Sequence, residues 1–149
     1  MRRTLLLAVT ALPFMFAFDL TWVSVFANGF YRSQLGYLYA AHTVWWAAIL
    51  FYIIYVLGLS YFVIAPAVRD HSLPKGIRDA AFFGLVAYGT YDLTSLATTT
   101  NWPFLMTFVD MAWGVVCAAV VTIITYYIAM YFYVHKESHP MVIPESTAV

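Results

Sequence analysis

The sequence predicts an all-α membrane protein, a bundle of four transmembrane helices forming a single domain over residues 1–134. Three observations carry this reading. Of 149 residues, 64% are hydrophobic and only 9% are charged, whereas a soluble domain carries about 25% charged residues. Four apolar stretches each reach the roughly 20 residues needed to cross the hydrocarbon core. The segments between them are short and hold glycine or proline. Too little polar surface exists to cover a globule in water, so lipid is the solvent for most of the chain.

The first predicted helix covers residues 4–27. An Arg2-Arg3 start and Val25-Phe26-Ala27 give it some signal-peptide character, but its length and the presence of Asp19 argue for a retained span. Residues 28–38 link it to the second helix, with Gly29 and Gly36 as breakers. The second helix, 39–68, exceeds the minimum span and implies tilt or extension beyond the lipid. Pro74 and Gly76 mark the connection to the third helix, 77–99. Asn101-Trp102-Pro103 forms a tight turn into the fourth, 103–134, proline being tolerated in a first helical turn. The tail, 135–149, is charged and carries two prolines, which predicts disorder.

Arg2, Arg3, Arg69, Lys75, Arg78 and Lys136 fall on one side of this topology and only Arg32 on the other. The excess of basic residues places both termini in the cytoplasm of a multi-pass protein of the inner (plasma) membrane. Net charge is zero and no basic run is present, which argues against nucleic-acid binding. Cys117 stands alone and reads as a packing residue. Phe18-Asp19-Leu20-Thr21 returns as Tyr91-Asp92-Leu93-Thr94, with Asn28 and Asn101 at matching distances downstream. This suggests two head-to-tail helical hairpins related by an axis along the membrane normal. Gly114 with Ala118, and Ala80 with Gly84, show the small-xxx-small spacing of close helix packing.

The functional signal is three carboxyls inside predicted spans: Asp19, Asp92 and Asp110. At 1.5 Å per residue, Asp19 and Asp92 lie about 13 Å below the outer helix ends and Asp110 about 10 Å below. Each costs about 2.5–3.5 kcal/mol to insert at a helix centre. No lysine or arginine lies at their depth in the spans to neutralise them, Arg78 being at the opposite end of its helix; His42 at the outer rim and a folded-back Arg32 are the nearby bases. Such a group of acids must hold protons or a cation. The competing reading is hydrogen-bonded glue between helices, with Thr21, Thr94, Ser95 and Thr107 as local partners. Trp22 follows Asp19 and Trp113 follows Asp110 by three residues, so each indole shares a face with a carboxyl; Trp45, Trp46 and Trp102 read as interfacial anchors. Tyr88, Tyr91 and Asn101 complete the candidate site. Its lone histidine gives no haem ligand pair and its spacing matches no metal motif; no cofactor and no metal are expected.

The run Tyr88-Gly89-Thr90-Tyr91-Asp92-Leu93-Thr94, followed by Leu96-Ala97-Thr98, Asn101-Trp102-Pro103, Asp110, Trp113 and Gly114, resembles a family of small bacterial four-helix membrane proteins catalogued as domain of unknown function 2177. Ser95 stands where the resemblance would put Asn. The resemblance implies the fold and a membrane location and no activity. The leading expectation is a protein that binds or transports a proton, a cation or a small polar or lipid ligand, with membrane lipid as partner and homo-oligomerisation to widen a thin bundle. A membrane enzyme acting on a lipophilic substrate, with one aspartate as general acid–base, and an accessory subunit without chemistry are the alternatives.

Overall fold

A computed structural model describes residues 1–38 and 42–137. Among these residues the regular structure is helical throughout, with no strand. Helix α1 covers Arg2–Thr21 and widens into a π turn at Trp22–Phe26. The segment after it, expected as a plain connection, folds instead into a short helix, α2, over Asn28–Leu35, closed by a 3-10 turn at Gly36–Leu38. Neither Gly29 nor Gly36 has an atom near its absent side chain, so neither glycine interrupts packing there. Helix α3 covers Trp45–Leu59, passes through a π turn at Ser60–Ile64 and continues as α4, Ala65–Arg69. Pro66 explains the wide turn: it has no N–H for the carbonyl of Phe62, and its ring would collide with that carbonyl in a regular α-helix.

Helix α5 covers Leu73–Thr98 and α6 covers Phe104–Glu137. The last helix thus continues past the predicted end at 134. The rest of the predicted disordered tail, 138–149, lies outside the described residues, as does the predicted start of the second helix at 39–41. Between α5 and α6 the chain reverses at Asn101, whose φ of 63° is a left-handed value that asparagine tolerates well.

Among the described residues three helical segments are long and apolar enough to cross a membrane: Arg2–Phe26, Trp45–Arg69 and Phe104–Phe132. Helix α5 is not among them. Its sequence is diluted by Gly84, Gly89, Thr90, Asp92 and Thr94, and several of its small or polar residues, including Ala80, Gly84, Gly89 and Asp92, are buried against the other helices. Large apolar side chains such as Ile54, Phe62, Phe82, Phe104 and Phe132 point outward, as expected of a bundle solvated by lipid.

Helix α5 packs most extensively on α6, and α1 packs on both α3 and α6. The α5–α6 contact is made at backbone distance. A β-carbon on Gly84 would sit 2.2 Å from the Gly114 carbonyl oxygen and 3.1 Å from the Ala118 side chain. The two small-residue motifs therefore meet each other. Around them Leu7, Ala11, Met15, Leu59, Ile64, Cys117 and Val121 form the main core. The Cys117 thiol lies 3.5 Å from the Met15 sulfur, a packing contact rather than a reactive site.

Candidate functional site

The antiparallel pairing of α1 with α6 decides which side chains meet above this core. Met15 is level with Cys117, and four residues further along α1 Asp19 is level with Trp113 four residues back on α6. The Trp113 indole N–H donates to Asp19 Oδ1 at 3.0 Å. The Tyr52 hydroxyl, from α3, donates to Asp19 Oδ2 at 2.7 Å. Asp19 thus has one neutral donor on each oxygen.

Asp110 is served from the opposite direction. The Tyr31 hydroxyl, on α2, donates to its Oδ1, and the Trp22 indole N–H donates to the Tyr31 oxygen at 3.2 Å. The same-face spacing placed each tryptophan beside a carboxyl, but the pairing is crossed between helices. Trp113 serves Asp19, while Trp22 reaches Asp110 through Tyr31. The two indoles stack, with centroids 4.4 Å apart and planes within 6° of parallel. Each stack of this kind contributes about 0.5–1.5 kcal/mol beyond area burial. The stack joins the two carboxyl environments into one structure.

Asp92 is 0% exposed. Neither of its oxygens receives a hydrogen bond from an N–H or O–H group, yet its carboxyl lies within hydrogen-bonding and electrostatic reach of Asp110. Two ionised carboxylates offer four acceptor oxygens and no donor. The contact becomes a hydrogen bond only when one of the pair carries a proton.

Asp19 and Asp110 open onto a cleft of about 400 Å³, walled by Phe51 and by the rings of Tyr31, Tyr55, Tyr88 and Tyr91. Tyr55 is 5% exposed and its hydroxyl has no partner. On the far side of the indole stack lies a second, apolar groove of about 420 Å³, bounded by Phe18, Phe26, Trp22 and Trp113. Among the described residues none of the three carboxyls makes an ion pair. The ion pairs Arg69–Asp70, Lys75–Asp70 and Arg78–Asp79 fall on the α4–α5 turn and the start of α5, away from the cleft. Arg32 is exposed on α2.

Of the sequence-predicted residues, Asp19, Asp92, Asp110, Trp22, Trp113, Tyr88 and Tyr91 gather here. His42 and Asn101 do not. His42 is exposed in the irregular segment before α3. Asn101 is exposed in its turn, where its carbonyl accepts a hydrogen bond from the Tyr37 hydroxyl at 2.6 Å; its value is conformational. The hydroxyls of Thr21, Thr94 and Thr107, candidates for gluing the carboxyls, are turned to the carbonyls of their own helices. Asp19 and Asp110 take their donors from aromatic side chains on other helices instead.

Sequence reasoning missed Tyr31, Tyr52 and Tyr55. The last two had a signal: in the otherwise apolar run of α3 they sit three residues apart, the spacing of one helix face. Tyr31 had none, because it belongs to a segment with no apolar period.

Among the described residues no group of three or more histidine, cysteine or acidic side chains has the geometry of a metal site. No curated protein and no solved structure matches the chain. A family model does match, over residues 4–127, and the chain belongs to that family, described as predicted membrane protein DUF2177.

Proposed function

We propose that the protein is a four-span membrane protein whose three-carboxyl site takes up protons and exchanges them for a cation. In this reading α5, about 39 Å long at 1.5 Å per residue, is the fourth span, admitted to the bilayer because its polar residues turn to the other helices. The basic residues at Arg2, Arg3, Arg69, Lys75 and Arg78 then mark the cytoplasmic side, and the cleft lies in the outer half of the membrane. Asp19 and Asp92 take equivalent places in two head-to-tail hairpins. A second copy of the chain would complete a path that four helices are too few to enclose, which makes a carrier of the inner membrane the form we favour.

One observation carries the reading. Asp92 is sealed from solvent with no donor but the carboxyl of Asp110 opposite it. In a low-dielectric site two like charges in contact cannot both persist, so the pair holds one proton or a cation takes its place. The Tyr31 hydroxyl supports Asp110 as the acceptor of that shared proton.

Infrared spectroscopy of the protein in lipid nanodiscs tests this. At neutral pH the wild type is expected to show the carbonyl stretch of a protonated carboxyl, and both Asp92→Asn and Asp110→Asn to lose it. Asp19→Asn should keep it. A wild-type spectrum with only carboxylate bands would sink the proposal.

A further inference from the structure

We infer that the cation this cleft accepts is a protonated lipophilic amine, held at Asp19 with its apolar part against the aromatic walls. The inference rests on the proposed proton-and-cation site and names its ligand class.

A hard metal ion demands six or more oxygen ligands, or an octahedral shell with ordered water. The walls here are rings, and the two carboxyls on the cleft already accept from donors on three helices. A weakly hydrated organic cation asks for something else: one counter-charge and the electron-rich faces of aromatic rings. Asp19 supplies the counter-charge. Its oxygens accept from Trp113 and Tyr52, and each carboxylate oxygen has a second lone pair available. Phe51, Tyr88 and Tyr91 supply the faces. At about 400 Å³ the cleft falls at the small end of the range for small-molecule sites.

The buried Tyr55 hydroxyl points independently to a ligand with an N–H group. It lines the same cleft, is 5% exposed and has no hydrogen-bond partner among the described residues. An unpaired buried hydroxyl is costly. An ammonium bound at Asp19 has three N–H donors, enough for the carboxylate and for the Tyr55 oxygen. A neutral hydrocarbon leaves that hydroxyl orphaned, and a quaternary ammonium has no proton to give it. Asp110 lines the same cleft as Asp19, so the ammonium faces both carboxyls and its charge takes the place of the proton that Asp110 shares with Asp92; one R–NH₃⁺ enters and one H⁺ leaves. No bond to carbon is made or broken.

The test uses the full chain in lipid nanodiscs with radiolabelled 2-phenylethylamine as probe. Propylbenzene, which carries a methyl group in place of the ammonium, is the neutral control. Saturable binding is expected, with release of one proton to an unbuffered pH dye and no competition from propylbenzene. Asp19→Asn should weaken binding at least about tenfold, as loss of a buried counter-charge does. Tyr55→Phe, which keeps the ring, should weaken it about threefold, the scale of one hydrogen bond. Retention of the protonated-carboxyl infrared band shows that each variant is folded.

No saturable binding by the wild type, equal competition by propylbenzene, or wild-type affinity in Asp19→Asn would each overturn the inference. If the infrared band is present while amine binding is absent, the ligand class alone is wrong. If the band is absent from the wild type, the proton-binding site itself falls and the amine with it.

Discussion

The two ends of the bundle bury polar groups in opposite ways. At the end holding the carboxyls, the side chains are large and two of the carboxyls are met by directed donors: Tyr52 and Trp113 donate to Asp19, and Tyr31, itself held by Trp22, donates to Asp110. Their bulk holds the helices apart and leaves a cleft. Toward the Arg69–Lys75 end, the contacts are small and close. A β-carbon on Gly76 would lie 2.9 Å from the Ala67 methyl, and Ser60, Thr122 and Thr125 are each 0% exposed with hydroxyls that find no partner. A buried hydroxyl without a partner costs about 1–3 kcal/mol, which close packing must offset. One end gains its order from directed hydrogen bonds, the other from dense contact. In a membrane the second mechanism is the main force between helices, because lipid supplies no hydrophobic drive to bring them together.

That contrast is broken most severely at the seam between the two ends. Gly84→Val puts a side chain into the Gly114 carbonyl, and neither backbone can yield without separating α5 from α6. We expect a loss on the order of 3 kcal/mol or more, the upper range for overpacking, read as thermal unfolding in detergent. Asp92 and Tyr88 ride on the same helix, so the tryptophan fluorescence of the indole stack should shift as well. Unchanged stability in this variant would show that the backbones do not touch.

The same contrast explains how much of the molecule was legible in its sequence. Length and hydropathy marked the helices, because a span in lipid must be apolar along its whole length, and the small-xxx-small motifs at Ala80 and Gly84 announced where helices approach. Asp19, Asp92 and Asp110 stood out because charge in an apolar run is rare. The partners of those carboxyls were harder to read. Tyr31 comes from a polar segment with no apolar period, and its role depends on a contact 79 residues away in sequence. Which tryptophan serves which aspartate depends on helix register, and i,i+3 spacing gives the face of one helix without the neighbour it meets. His42 was placed by depth alone, and Asn101 by its part in the repeat and in the Asn101-Trp102-Pro103 turn. Depth along the membrane normal does not fix direction around the helix, and both residues sit in exposed turns.

A milder change sharpens the comparison within the carboxyl end. Trp113→Phe keeps an aromatic ring against Trp22 but removes the N–H that reaches Asp19 together with part of the ring system, a truncation that Trp22→Phe shares. Loss of a hydrogen bond to a charged group is worth about 1.5–3 kcal/mol. Trp22→Phe removes a longer bond, 3.2 Å, to the neutral Tyr31 hydroxyl, for which about 0.5–1.5 kcal/mol is expected. Thermal unfolding of the two variants side by side should rank them in that order. The reverse order would mean that the stack, rather than the hydrogen bonds, organises this end.

The smallest effect belongs to the surface charges at the opposite end. Asp70 accepts from Lys75 Nζ at 2.5 Å and from Arg69 Nε at 3.0 Å. These hydrogen bonds, Lys75 first, hold its carboxyl below the ordinary 3.8. A carboxyl with a depressed folded-state value stabilises the fold above its unfolded value and loses that contribution as pH falls through the folded one. Wild-type melting temperature should therefore decline slightly as pH drops below about 4, and Asp70→Asn should flatten that part of the decline. Because the group is open to solvent, added salt should shrink the difference further. Should Asp70→Asn instead destabilise the protein more than Trp113→Phe at neutral pH, the exposed ion pairs would outweigh the buried aromatic donors. Directed polar contacts would then matter most at the end where the packing is already dense.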